Sequence, residues 1–218
     1  MAKRFDLLVF DWDGTLLDST GAIVSALKAA CRDLGLSEPT TESTRHIIGL
    51  GLGDALRMAV PDLTENRFPQ MVERFRHHYL AVDRDLQLFD GIPSLIAELK
   101  TEGYLLAVAT GKSRLGLNRS LVHSNLASLF SATRCADECF SKPHPQMLHE
   151  LMDECSVPPE RTLMVGDTTH DVQMSINAGV ASLAVSYGAH PASVLDALNP
   201  MARVNSVVEL SKWLRSHT

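Results

Sequence analysis

The chain opens with a short run in which Phe5, Leu7, Leu8, Val9 and Phe10 are apolar, and this run ends abruptly in the polar turn Asp11-Trp12-Asp13-Gly14. A run this short and apolar predicts a strand buried on both faces of a parallel sheet, with its C-terminal end facing something polar. From Ser19 the period changes. Ile23, Val24, Leu27, Ala30, Cys31 and Leu34 recur at helical spacing, with Ser19 or Thr20 as N-cap and Gly35 as the stop. The same rhythm continues to about Asp85, with helices expected around Leu56-Arg57-Met58 and from Val72 to Phe75 and no convincing strand between them. Then strands and helices alternate: helix 93–102 stopped by Gly103, strand 105–109, a mainly helical 114–129, strand 132–135, helix 145–155, strand 162–165, helix 171–178 stopped by Gly179, and strand 181–185. This order predicts an α/β fold, a doubly wound, Rossmann-like parallel sheet covered by helices, formed by residues 1–17 and 88–218 and interrupted by an all-helical insertion at 18–87.

Composition narrows the classes. The 218 residues suit one large domain or one domain with an insertion, and 45% apolar residues promise a sizeable core. A net charge of −6 lacks the basic face that a nucleic-acid or anionic membrane partner requires. No apolar run approaches the ~18 residues of a membrane span, and Asp6 and Asp11 interrupt what could pass for a signal peptide, so a cytoplasmic protein is expected. Cys31, Cys135, Cys139 and Cys155 form no C-x-x-C pair and read as reduced, mostly buried thiols.

Polar signals cluster where the predicted strands end: Asp11-Trp-Asp13-Gly14-Thr15, Thr110-Gly111-Lys112 and Gly166-Asp167-Thr-Thr-His-Asp171, with Lys142-Pro143 in a loop. Parallel strand ends point the same way, so these segments can converge in one crevice at the topological switch point. There, four carboxylates against Lys142 leave a charge of −3, and each carboxylate pair at about 4 Å repels by roughly 4 kcal/mol at an effective dielectric of 20. The cluster calls for a cation, and an all-oxygen donor set favours Mg²⁺. A divalent ion still leaves −1, which argues that one Asp holds a proton and acts as a general acid.

In that order, Asp-x-Asp-Gly-Thr, Thr-Gly, Lys-Pro and Gly-Asp-x-x-x-Asp resemble the motifs of the haloacid dehalogenase superfamily of aspartyl-phosphate hydrolases, and the resemblance spans residues 5 to about 210. The helical insertion after the first motif is similar to the small helical cap of some members. The resemblance implies that Asp11 is the nucleophile, that Asp13 protonates the leaving oxygen and later deprotonates water, and that Thr110, the Gly111 amide and Lys142 hold phosphoryl oxygens. It implies that Mg²⁺ is bound by Asp11, the Asp13 carbonyl and Asp167, with Asp171 ligating or orienting at one remove. Arg45, His46 and Gly49 fall where similar proteins place a specificity loop, although a plain helix-joining loop accounts for them equally well. Motifs and cap type look closest to phosphoglycolate phosphatases, except that Asp90-Gly91 stands where many carry Pro-Gly. The resemblance implies a small phosphate-ester substrate and a monomer or homodimer.

Other readings fit less well. Gly111-Lys112-Ser113 is no P-loop, since the first glycine would fall on Leu106, and Lys112 reads as a solvated loop charge. Gly49, Gly51 and Gly53 make no dinucleotide fingerprint, because the third position is Asp54. Cys135, Cys139, His144 and His149 lack zinc spacing. His170 sits inside the metal motif, where it could tune the site, but reads rather as half-exposed polar filler, and Trp12 reads as packing beneath the site whose indole N–H needs a partner. Within the superfamily, Asp13 argues against a dehalogenase. Ile23 stands where sugar-phosphate mutases carry a cap histidine, which weakens the mutase alternative, and a non-catalytic binding protein would be expected to lack a catalytic carboxylate.

Overall fold

A computed structural model describes residues 4–217. Strand β1, Leu7–Phe10, is buried along its whole length, with Leu7 and Val9 in one hydrophobic cluster and Leu8 and Phe10 in another. That alternation puts an apolar layer on each face of the sheet, as the strand's unbroken apolar run requires. The chain then leaves the sheet for four helices, α1 Thr20–Asp33, α2 Thr41–His46, α3 Leu52–Ala59 and α4 Phe68–Val82. Leu27, Ala30, Cys31, Leu56 and Met71 from these helices share a third, separate cluster.

The chain returns through α5, Ile92–Thr101, to β2, Leu105–Thr110, which pairs with β1 in parallel. It continues as α6 Arg114–His123, β3 Ala132–Cys135, α7 Gln146–Cys155, β4 Thr162–Gly166, α8 Thr169–Ala178 and β5 Ala181–Val185. It finishes with α9 Ala192–Asp196, β6 Ala202–Val204 and α10 Val207–His217. The sheet order is β3-β2-β1-β4-β5-β6, with every pairing parallel. The order reverses at β1, so Asp11, Thr110 and Asp167 stand at the carboxyl ends of the three central strands, where a ligand crevice is expected.

Several expectations shift. Ser19 takes the N-cap position of α1, its carbonyl accepting the Ile23 N–H at 3.0 Å, but its hydroxyl donates to Asp13 Oδ1 at 2.6 Å instead of capping the helix. The helix expected over 114–129 ends at His123, because Asn125 takes a left-handed φ of 58° and a 3₁₀ turn follows at Ala127–Leu129. Helix α8 begins two residues earlier than its apolar period suggests, because Thr168 and Asp171 form a reciprocal capping box. The four thiols are free, but Cys139 and Cys155 are half-buried rather than buried. Trp12 is fully buried edge-on to Phe130, and its indole N–H has no partner among the described residues.

Candidate active site

Each strand-end carboxylate is held by its own set of donors. The Asp11 backbone N–H continues the ladder to Val165 O at 2.9 Å, which fixes the residue at the tip of β1. Its Oδ1 accepts from Lys142 Nζ at 2.7 Å, whereas Oδ2 is buried and has no hydrogen-bond partner among the described residues. Lys142 is itself fully buried, and its ammonium also donates to Asp171 Oδ1 at 2.7 Å. Burial pushes the Asp11 carboxyl well above its ordinary range; Lys142 opposes this, and Asp171 and Asp167 reinforce it. Burial alone would lower Lys142, but Asp11 and Asp171 more than offset it and keep the ammonium charged.

Asp167 lies across the crevice, with Oδ1 accepting from the Thr15 hydroxyl at 2.8 Å and Oδ2 from the Ala189 N–H at 2.6 Å. Gly14 makes this approach possible. It has a left-handed φ of 86°, and a Cβ there would overlap the Asp167 carboxylate. Burial, then Asp171, push the Asp167 carboxyl from 3.8 to about 7 against the pull of Ala189, Thr15 and Lys142. Asp171 Oδ2 is spent on the Thr168 N–H and hydroxyl, at 3.1 and 2.7 Å. Asp11, Asp167 and Asp171 each offer an oxygen within 4.8 Å of the others. A partnerless buried oxygen within an all-carboxylate set fits a hard divalent cation such as Mg²⁺.

Asp13 lines a cavity of about 820 Å³ between the helical insertion and the loops that follow the strands, with Ile23, Ile47, Gly49, Tyr79 and Lys112 among its walls. Thr110 is buried, and its hydroxyl accepts the Lys112 N–H at 3.2 Å. Gly111 lies beneath the carbonyls of Gly49 and Leu50, where a Cβ would collide with that backbone.

The structure brings Asp11, Lys142, Asp167 and Asp171 together, links Thr110 and Asp13 through Lys112, and sends the insertion's candidates to different partners. Gly49 lines the cavity and packs on Thr168. The Arg45 guanidinium is spent on the carbonyls of Gly188 and Ala189, with Nε at 2.9 Å from the latter. The His46 carbonyl accepts from His170 Nε2 at 2.8 Å and His190 Nε2 at 3.2 Å, so both histidines carry their proton on Nε2. His170 therefore ties the insertion to α8 rather than serving as filler.

Lys112 departs most from expectation. Its side chain is 9% exposed, and its ammonium lies 3.0 Å from Asp13 Oδ1 and 2.8 Å from the Tyr79 hydroxyl. It is not a solvated loop charge. With two lysines facing four carboxylates, a divalent cation brings the site to neutrality, so the charge balance no longer requires a protonated Asp. The case for Asp13 as an acid rests on its place at the cavity wall.

A family model described as haloacid dehalogenase-like hydrolase matches residues 8–185. The chain belongs to this family. This haloacid dehalogenase-like hydrolase is 36% identical over 216 residues to the protein named "Probable phosphatase IndB" of Dickeya dadantii, covering 94% of this chain and 91% of the other. It is 32% identical over 197 residues to the phosphoglycolate phosphatase of Aliivibrio fischeri, covering 86% and 87%. A crystal structure described as a predicted phosphoglycolate phosphatase from Haemophilus somnus superposes with a TM-score of 0.87 at 25% identity, covering 97% and 99%. Among the described residues, no helix of this hydrolase is long and apolar enough to cross a membrane.

Proposed function

We propose that this hydrolase cleaves small phosphomonoesters through an aspartyl-phosphate formed on Asp11. The observation that carries this reading is the Asp11 carboxylate, buried at the strand tip with one oxygen held by Lys142 and the other without a partner. In the first step an Asp11 oxygen attacks phosphorus, the bond from phosphorus to the leaving oxygen breaks, and Asp13 gives that oxygen a proton. In the second step Asp13 takes a proton from water, which attacks the same phosphorus and releases phosphate from Asp11. Thr110, the Gly111 amide and Lys142 hold the phosphoryl oxygens and offset the charge that builds on them. Asp11, the Asp13 carbonyl and Asp167 would hold Mg²⁺, with Asp171, whose oxygens serve Lys142 and Thr168, orienting at one remove. When bound, Mg²⁺ supplies positive charge to the phosphoryl oxygens.

Residues 18–87 act in this reading as a cap that closes over the substrate and excludes water during phosphoryl transfer. The similarity to phosphoglycolate phosphatases supports a small ester as substrate. Ile23, in the cavity wall, offers no imidazole for a mutase cycle and so favours hydrolysis over phosphoryl return.

Phosphate release is expected from at least one member of a panel of phosphoglycolate, sugar phosphates, nucleotides and aryl phosphates; EDTA abolishes it and Mg²⁺ restores it. Release that persists after chelation contradicts the metal assignment, and no release from any ester contradicts the function. A second expectation concerns stability. Between 3.8 and about 7, native Asp167 holds a proton that the unfolded chain has released, so its contribution to stability falls as pH rises through that window. A bound cation displaces this proton, so Mg²⁺ is expected to raise Tm more at about pH 8 than at about pH 5. Thermal denaturation with Mg²⁺ and with EDTA measures the difference, and an equal shift at both pH values contradicts it.

A further inference from the structure

We propose that Lys112 is a positioning residue for Asp13, and that Tyr79 ties its placement to the seating of the helical insertion. This inference rests on the reading of Asp13 as the group that protonates the leaving oxygen.

An aspartate carboxylate turns freely about its last torsion, so a proton donor in a cavity wall needs its oxygens assigned by neighbours. Here both donors fall on the same oxygen. Asp13 Oδ1 receives the Ser19 hydroxyl at 2.6 Å and the Lys112 ammonium at 3.0 Å. Fixing Oδ1 dedicates the other oxygen to the leaving group. The proton that departs with the alcohol is the one Asp13 took from water in the preceding turnover, carried on that second oxygen until the phosphorus–oxygen bond breaks, and Lys112 keeps its own protons throughout.

Lys112 can do this because it is held at both ends. Its N–H is anchored on Thr110 Oγ1 at 3.2 Å and its carbonyl accepts the Ala136 N–H at 3.1 Å, so the stem starts from the rigid end of β2. Its ammonium donates to the Tyr79 hydroxyl at 2.8 Å and lies 4.8 Å from the centre of that ring. A buried ammonium is costly unless paired, and these two partners make its burial tolerable. Burial alone would lower the Lys112 pKa, but the Asp13 carboxylate and Tyr79 outweigh this and keep it charged. Tyr79, raised above its ordinary value by burial and then by Asp13, stays a neutral phenol that can accept.

Lys112 belongs to the loop after β2, whereas Tyr79 belongs to α4 in the insertion. The Tyr79–Lys112–Asp13 series is therefore a physical link between the position of the insertion and the orientation of the acid. If the insertion lifts away, the Tyr79 contact breaks and Lys112 loses one of the two partners that hold its ammonium against Asp13. Covering the site therefore adds to the restraint on the acid.

The test uses two esters: p-nitrophenyl phosphate, whose leaving group departs without a proton, and the alkyl phosphate turned over fastest in the panel above, whose leaving group needs one. The readout is kcat/KM, which reports only steps through phosphoryl transfer to Asp11. Lys112→Met is expected to lower kcat/KM for the alkyl ester by roughly 10²-fold while changing that for the aryl ester by less than about 3-fold. Tyr79→Phe keeps the ring stacked on Phe75 at 6.0 Å and removes only the hydroxyl. It is expected to show the same selectivity at roughly 10-fold. A structural or phosphate-binding role would lower both esters alike, and equal losses, or none, overturn the inference. If the unaltered protein hydrolyses neither ester, the phosphatase reading itself falls and takes the inference with it; if it hydrolyses both and the variants fail to discriminate, only the inference falls.

Discussion

Replacing Asp11 by asparagine is expected to leave a folded protein whose kcat is lower by at least roughly 10³-fold. The amide cannot accept a phosphoryl group, and the neighbouring carboxylates are committed, Asp167 to Thr15 and Ala189 and Asp171 to Lys142 and Thr168. Stability is expected to move the other way. Burial pushes the native Asp11 carboxyl well above its ordinary range, so its charged form is disfavoured in the fold and a neutral isostere relieves that penalty. Near neutral pH, in EDTA, Asp11→Asn is therefore expected to melt at or above the temperature of the parent. Phosphate release and thermal denaturation measure the two halves. Turnover near the parent's rate contradicts the nucleophile assignment, and a large fall in Tm contradicts the account of burial.

Lys142→Met is expected to damage both stability and activity. The ammonium is the charge partner that Asp11 and Asp171 share at 2.7 Å each, inside a site from which water is excluded. Removing one partner of a buried ion pair while the other remains costs on the order of 3–5 kcal/mol. The sign of the pH dependence follows from the same geometry. Without Lys142, native Asp11 holds its proton to still higher pH than the unfolded chain does. The variant's deficit is then smallest in acid and grows as pH rises through the range where native Asp11 ionises. Urea denaturation of parent and variant in EDTA at about pH 5 and about pH 8 measures this, and an equal deficit at both values contradicts the shared-partner account. Activity is expected to vanish with the ammonium, because the charge that develops on the phosphoryl oxygens loses its nearest offset.

Much of this site was legible because strand ends announce themselves. Phe10 followed by Asp11, and Val165-Gly166 followed by Asp167, are places where an apolar run stops at a carboxylate, and in a parallel sheet such stops share one edge. What local pattern could not show is which partner a polar side chain chooses across the fold. Ser19 has the form of an N-cap, yet its hydroxyl turns back to Asp13. Lys112 looks the same in sequence whether it faces water or, as here, is buried between Asp13 and a tyrosine from another layer. Arg45 and His46, expected in a loop, form the last turn of α2, and they spend their polar groups on the loop at 188–190 and on His170. Strand β6, only three residues long with Arg203 at its centre, is too short to show a period. Helix α10 carried a readable stripe in Val207, Leu210 and Leu214, which the expectation ending at residue 185 left unused.

The most direct measurement of the central claim is capture of the covalent intermediate. The protein with Mg²⁺ is mixed with p-nitrophenyl phosphate labelled at phosphorus, quenched in acid within a single turnover, and digested for mass analysis. Label on the peptide that contains Asp11, and none on the same peptide from Asp11→Asn, is the result predicted here. Turnover with no label on the chain, or with label on a different residue, would contradict it.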